Sequence, residues 1–194
     1  MGNARYLWII MEKLIRLFQS VLVVFMWIGS PKQARFYSME GRIKRAYRKK
    51  RWQRAERLSR EYLAQAERLH TDWNYGNAIH DGNQFLGLIR LRQGDVEGAK
   101  ACLLAAGLSP GSPQLDSFGP NMMLARELLE RDERLVVAEY VDLIARFWAA
   151  DKPAHAEIPG HLEHMEEKGR LIEEWKIDIA EGRIPTDGLW HQDL

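Results

Sequence analysis

The chain has 194 residues, 46% of them hydrophobic and 28% charged, which suits one folded domain with an appendage. Its formal net charge of +1 argues against a protein that binds polyanions over its whole surface. Cys102 is the single cysteine, so an internal disulfide is excluded. It lies within an apolar helical stripe, which indicates a buried and unreactive thiol.

A hydrophobic segment comes first, and we expect residues 1–31 to form one N-terminal helix. Residues 6–28 have the length of a bilayer span, which needs about 20 apolar residues, but polar residues interrupt them. Among these, Glu12 and Arg16 fall on one line of a helix in a favourable order. Four alternatives stay open: a membrane-spanning helix, an interfacial helix, a helix that covers an end of the helical domain, and an over-extended translation that truly starts at Met39.

Positive charge is concentrated in residues 42–60, which contain ten Lys or Arg against one acid, Glu56. Apolar residues keep helical spacing here, so we expect a first, degenerate helix pair with its break near Lys50-Arg51. Three interpretations of the charge stay open: a solvated helix face, a juxtamembrane segment on anionic lipid, and a nucleic-acid patch. The predicted basic patch consists of Arg42, Lys44, Arg45, Arg48, Lys49, Lys50 and Arg51.

Residues 78–106 carry two apolar stripes at helical spacing, which predict two helices joined by a tight turn. Gly94 suits a left-handed C-terminal stop, and Asp95 suits the N-cap of the helix that follows. The first stripe consists of Ile79, Gly82, Leu86 and Ile89, and the second of Val96, Ala99, Leu103 and Ala106. Small residues recur in both stripes, which indicates that the two helices approach each other closely.

This hairpin resembles a tetratricopeptide repeat. The resemblance is carried by Leu86-Gly87, Gly94-Asp95, Ala99, Leu103, Ala106 and Pro110, which stand at that family's spacing. Asn83 stands where the family usually has tryptophan, and Arg90 where it usually has an aromatic residue. Through the runs 94–100 and 106–122, residues 40–190 are similar to a group of small bacterial tetratricopeptide-like proteins. That resemblance implies stacked helix pairs and implies no reaction.

The C-terminal part predicts a third helix pair and one further helix. A short apolar stripe over 122–129 and a strong one over 137–148 flank a charged turn. The last helix, from about residue 160 to 181, has one apolar face and acidic residues elsewhere, as expected for a helix that caps a solenoid. Residues 183–194 are expected to form a polar tail.

Catalytic motifs are not evident. The sequence shows no glycine-rich phosphate loop and no nucleophile beside a plausible base in a known motif. His161 and His164 could share a metal only with a third ligand such as His155 or Glu157. We therefore predict no enzymatic activity, no metal, no cofactor and no small-molecule substrate.

The predicted fold class is all-α: a short right-handed α-solenoid of about three tetratricopeptide-like (TPR-like) helix pairs over residues 35–182, with a C-terminal capping helix and the hydrophobic N-terminal helix. We expect a protein-interaction adaptor that binds a protein or peptide on its concave face, lined by the first helix of each pair. The alternative is nucleic-acid or anionic-lipid binding through residues 42–60. The predicted concave-face residues are His80, Asn83, Gln84, Arg90, Asn121 and Arg126.

The expected location is the cytoplasmic side of the inner membrane if residues 6–28 insert, and the cytoplasm otherwise. The basic residues that follow the hydrophobic segment set this orientation, because cytoplasmic flanks of membrane helices collect lysine and arginine.

Overall fold

The computed structural model describes residues 31–150 and 161–191, and within these ranges every regular element is an α-helix. The all-α prediction is therefore confirmed for the described residues. The chain divides into two compact units, Met1–Ser38 and Met39–Leu194. The described part of the first unit holds α1 (Pro31–Tyr37). The rest of the predicted helix over residues 1–31, with the proposed insertion of residues 6–28, lies outside the described residues.

The described part of the second unit contains eight helices in chain order. They are α2 (Met39–Arg48), α3 (Trp52–Arg68), α4 (Tyr75–Arg92), α5 (Val96–Gly107), α6 (Pro113–Phe118), α7 (Met123–Leu129), α8 (Arg134–Trp148) and α9 (His161–Ala180). None of the described helices combines the length and the apolar character that crossing a membrane requires.

Consecutive helices pack against each other, and α4 lies at the centre. Helix α2 packs on α3, α3 on α4, and α4 on α5. Helix α4 also contacts α2 and α7, while α8 packs on α5, α7 and α9. Most residues of α4 are buried, including Phe85, Leu88 and Ile89, because neighbouring helices cover it on several sides. The absence of a side chain at Gly87 permits this packing, since a methyl group there would collide with Leu124.

The turn between α4 and α5 forms as its residues predict. Gly94 has a φ of 81°, in the left-handed region where a side chain is strained. Asp95 then caps α5, because its Oδ1 accepts a hydrogen bond from the Gly98 backbone N–H at 2.8 Å. The other carboxylate oxygen accepts from the Arg90 guanidinium at 2.6 Å. The predicted glycine stop and aspartate cap are both confirmed.

The segment after α9 is not a free polar tail. Trp190 is fully buried and contacts Trp175 edge-on, with ring centroids 5.7 Å apart. Trp175 in turn stacks on Trp148 at 5.3 Å. Arg126 donates a hydrogen bond to the Trp190 carbonyl at 3.2 Å. The predicted tail is therefore corrected: the chain up to Trp190 belongs to the folded domain, because this large aromatic side chain completes the core beneath α9.

Candidate functional site

Two of the six predicted concave-face residues, His80 and Gln84, have no exposed surface. Gln84 Nε2 donates to the Tyr140 hydroxyl at 3.0 Å, and His80 Nε2 lies 3.0 Å from the same oxygen. Helical spacing placed both on a polar face of α4, but that face meets α8, where a tyrosine hydroxyl satisfies them. Both are corrected to core residues, since a partner has no access to them in this fold.

The hydrogen bonds around Tyr140 extend across three helices. His80 Nδ1 lies 2.9 Å from Asp81 Oδ1, and Gln84 Oε1 accepts from the Leu124 N–H at 3.3 Å. The Tyr140 hydroxyl donates to the Asn121 carbonyl at 3.3 Å. Burial raises the pKa of Tyr140, and the nearby Asp81 charge adds to this, while the Gln84 hydrogen bond opposes it. The network therefore keeps a protonated hydroxyl that joins α4, the start of α7 and α8.

The other four predicted concave-face residues, Asn83, Arg90, Asn121 and Arg126, are half-buried and each makes a structural hydrogen bond. Asn83 donates to the carbonyl one turn earlier at 2.8 Å, and Arg90 pairs with the Asp95 cap. Asn121 accepts from the backbone N–H two residues later at 2.9 Å. Arg126 holds the backbone of the buried C-terminal segment. The contacts of Arg90, Asn121 and Arg126 hold helix ends and chain connections, whereas the Asn83 bond lies within α4.

A second buried polar cluster was not predicted from the sequence. Asn74 stands at the N-cap of α4, but its side chain makes no capping bond and donates to the Tyr62 hydroxyl at 2.9 Å. Asn77 donates to the Asn74 side chain at 2.8 Å and accepts from the Ser112 hydroxyl at 2.5 Å. Burial raises the pKa of Tyr62. The signal in the sequence was Asn74, Asn77 and Ser112 beside apolar helices, because short polar side chains of this kind form local hydrogen bonds at helix ends and turns.

Basic residues from α2, the following turn and the start of α3 line one open cleft of about 180 Å3. The five that line it are Arg42, Arg45, Lys49, Arg51 and Arg54. The first four belong to the predicted basic patch. Arg54 lies one helical turn past the end of that patch, within residues 42–60. The other three members of the patch, Lys44, Arg48 and Lys50, do not line this cleft.

The charges of this basic cleft are largely unneutralised. Lys44, beside it, pairs with Glu40 at 2.5 Å. In the part of the chain that the structure describes, Arg45, Lys49 and Arg51 form no ion pair, and neither does Arg54. All four side chains are exposed. The cleft is therefore a small concave surface with an excess of positive charge.

A second cleft, of about 790 Å3, opens between α5 and α8. Its apolar lining consists of Ala101, Leu104, Leu135 and Val136. Leu135 is 89% exposed, although large apolar side chains favour burial. The cleft is formed by the second helices of two consecutive hairpins, whereas the sequence predicted a surface on the first helices.

Charged side chains surround this α5–α8 cleft, and carboxylates outnumber cations. The lining includes Glu97, Asp132, Glu133 and Glu139 against Lys100 and Arg134. Lys100 contacts Glu97 at 2.9 Å and Glu133 at 3.0 Å, so it joins α5 to the turn before α8. Arg134 pairs with Asp132 at 2.5 Å. These pairs leave the rim with an excess of negative charge.

Cys102 is half-buried, and burial raises the pKa of its thiol although Arg90 and Arg60 oppose the shift. A raised pKa keeps the thiol protonated at neutral pH, which lowers its reactivity. Among the described residues, no group of three or more His, Cys, Asp or Glu side chains could hold a metal ion. His155 and Glu157, the third ligands considered for a metal site, lie outside those residues.

The described residues define the class of the protein as a small all-α domain with two open clefts on its surface. Comparisons with protein-family models, curated proteins and solved structures found no match. The tetratricopeptide resemblance has no support from these comparisons, and it stays a prediction.

Proposed function

We propose that the chain is a non-catalytic adaptor of the helical-repeat kind, which binds an amphipathic helix of a partner protein in the α5–α8 cleft. The order in which the helices pack supports stacked helix pairs, and α2–α3, α4–α5 and α7–α8 would be the three pairs of the proposed right-handed, TPR-like solenoid. Helix α4 contacts α2 and α7, and α5 contacts α8, as expected when successive hairpins stack side by side. Helix α9 packs on α8, as the proposed capping helix would.

The observation that carries the proposal is Leu135, which is 89% exposed at the edge of a concave surface. The cleft volume of about 790 Å3 falls within the roughly 300–1,000 Å3 of sites that bury compact ligands. A helix that lays its apolar face into such a groove is a common form of peptide recognition. Burial of the exposed Leu135 side chain by a partner would contribute about 1.5–3 kcal/mol to binding.

The charge around the cleft selects the chemistry of the partner. Four carboxylates against two cations favour a helix whose apolar anchors are flanked by lysine or arginine. Glu139 lies one helical turn after Leu135 on α8, so a basic residue of the partner beside its apolar anchor would meet a carboxylate there. An acidic helix would be repelled, so the partner is expected to be basic and amphipathic.

Two synthetic amphipathic helices test the proposal. Both carry the same leucine face, one with lysine flanks and the other with glutamate flanks, and fluorescence anisotropy measures their affinity for the full chain. We expect the lysine peptide to bind and Leu135→Glu to weaken it by about tenfold or more. The control is Phe118→Glu, at an apolar side chain that is 74% exposed on α6, outside this cleft. Equal binding of both peptides, or equal loss in the two variants, would exclude this cleft as the docking site.

Attachment to the cytoplasmic membrane face is a separate part of the proposal. It depends on residues 6–28, and the experiment is fractionation of cells that produce the full chain. Recovery in the membrane pellet after a high-salt wash, with release by detergent, would support an inserted helix. Recovery in the low-salt supernatant would contradict it, whatever the outcome of the peptide experiment.

A further inference from the structure

We propose that the basic cleft between α2 and α3 is a binding site for a phosphomonoester group, carried by a small molecule or by a lipid headgroup. This site is distinct from the α5–α8 cleft and does not depend on the adaptor function. Its argument rests on how the cations converge, on their lack of carboxylate partners, and on the size of the cleft.

The cations converge because of where the helix pair turns. Arg42 and Arg45 are three residues apart on α2, and Lys49 follows four residues later, so all three share one side of the helix. The Lys49 N–H still bonds to the Arg45 carbonyl at 3.2 Å, which extends the helical path past Arg48. The turn then brings Arg51 and Arg54 to the same cleft from the start of α3.

The turn itself is well defined. Lys50 has a φ of 55°, in the left-handed region, which ends the helical path between α2 and α3. The Arg51 N–H then bonds to the Ala46 carbonyl at 2.9 Å and the Lys50 N–H to the Tyr47 carbonyl at 2.8 Å. The backbone that carries the five cations is therefore held by hydrogen bonds, so a ligand does not have to order a loose loop.

The sequence around the cleft does not lack carboxylates, but they pair elsewhere. Glu40 pairs with Lys44 at 2.5 Å, and Glu56 pairs with Arg60 at 2.8 Å, each one helical turn away. Within the described chain, the four exposed cations of the cleft have no acidic partner. Neighbouring like charges repel each other, and an anion with two charges relieves that repulsion.

Arginine predominates at this site, with four guanidinium groups and one lysine. A guanidinium presents paired N–H donors that match two phosphate oxygens, which a lysine ammonium cannot do. The first turn of α3 adds to the positive field, because its N-cap residue makes no side-chain capping bond. A phosphomonoester supplies three exposed oxygens and close to two negative charges at neutral pH.

The size of the cleft favours a phosphate group over larger ligands. Its volume of about 180 Å3 is below the roughly 300–1,000 Å3 of sites that enclose a whole drug-sized molecule. It accommodates a phosphate group with the rest of the ligand outside. Nucleic acid would instead need a surface that follows successive phosphates.

Calorimetric titration of the full chain with phenyl phosphate, at low salt, tests the site. Arg45→Gln with Arg51→Gln is the test variant, and Arg57→Gln with Arg68→Gln is a matched control on exposed residues outside the cleft. Both double variants remove two positive charges. We expect affinity to fall by about tenfold or more in the test variant and by less than about twofold in the control. Circular dichroism checks that both stay folded.

The pH dependence is a further readout. Affinity for phenyl phosphate is expected to rise between about pH 5 and 7, because the second phosphate proton dissociates near pH 6 while arginine stays charged. Equal weakening in the two double variants, absence of binding, or no rise with pH would each overturn the proposal.

Two further arms identify the source of the phosphate. Vesicles of phosphatidylcholine with phosphatidic acid, compared with phosphatidylcholine alone, test the lipid headgroup. Sedimentation that phenyl phosphate reverses would assign the site to a lipid, and binding of phenyl phosphate alone would assign it to a soluble phosphomonoester. A duplex RNA that binds more tightly than either, with the same loss in both double variants, would overturn the site in favour of diffuse polyanion binding.

Discussion

Replacing Tyr140 by phenylalanine isolates the polar network that joins α4 to α8. The ring stays and the hydroxyl is lost, so packing is preserved while hydrogen bonds are removed. Gln84 Nε2 loses an acceptor at 3.0 Å, His80 Nε2 loses its neighbour at 3.0 Å, and the Asn121 carbonyl loses a longer bond of 3.3 Å. His80 and Gln84 have no exposed surface, so water does not replace the lost hydroxyl without rearrangement.

The magnitude follows from these contacts. Each buried group left without a partner costs about 1–3 kcal/mol, and two groups lose their short contact completely. Removing the hydroxyl also removes the cost of burying it, which offsets a part of this loss. We therefore expect Tyr140→Phe to lower the free energy of unfolding by about 2–4 kcal/mol. Such a loss is a large fraction of the stability of a domain of this size.

Urea denaturation followed by circular dichroism measures this change, with the midpoint expected to fall at constant slope. Tyr75→Phe is the control, because Tyr75 is half-buried and the structure describes no hydrogen bond from its hydroxyl. It should change stability by less than about 0.5 kcal/mol. A similarly small loss for Tyr140→Phe would show that the network contributes little, and the structural role given to His80 and Gln84 would fail.

Two further predictions concern stability. Burial raises the pKa of Tyr62 and of Tyr140. The stability that these two hydroxyls contribute by staying protonated is fully present below about pH 10, where unfolded tyrosine ionises, and it is lost as pH rises towards the folded pKa, by up to about 1.4 kcal/mol per pH unit for each residue. Tyr140→Phe should make this alkaline decline shallower, and an unchanged slope in urea titrations at about pH 9–11 would refute the prediction. Trp190→Ala should lower the free energy of unfolding in urea by about 3–5 kcal/mol, because it empties a fully buried site. The control is Leu162→Ala, at a side chain that is 63% exposed, which should lower it by less than about 1 kcal/mol. A loss below that level for Trp190→Ala would mean that the C-terminal segment is dispensable for stability.

Local chemistry was sufficient to predict the turn at Gly94-Asp95. A glycine in the left-handed region and an aspartate that caps the next helix act within about four residues, so their effect can be read from sequence alone. The same holds for the break between α2 and α3, which lies at Lys50 as expected. The high positive charge of the basic cleft could also be predicted from the sequence, because its five cations lie within 13 consecutive residues.

Contacts between distant residues could not be predicted in the same way. Helical spacing shows that His80 and Gln84 share a face, but not whether that face meets water or another helix. The answer depends on Tyr140, which lies 60 residues after His80 and 56 after Gln84. Arg126 and Trp190 are 64 residues apart, and the tryptophan stands in a stretch in which polar residues outnumber apolar ones. The composition of residues 183–194 therefore favoured a solvated tail, although the Trp190 side chain packs into the core.

The burial of Trp190 has a consequence for chains that are cut between α9 and this residue. The cut would remove the indole that contacts Trp175 edge-on, and one face of the Trp175 ring would then be open to solvent and to other molecules of the protein. The hydrogen bond from Arg126 to the Trp190 carbonyl would be lost with it. Limited proteolysis in this segment would therefore expose an aromatic patch and promote self-association.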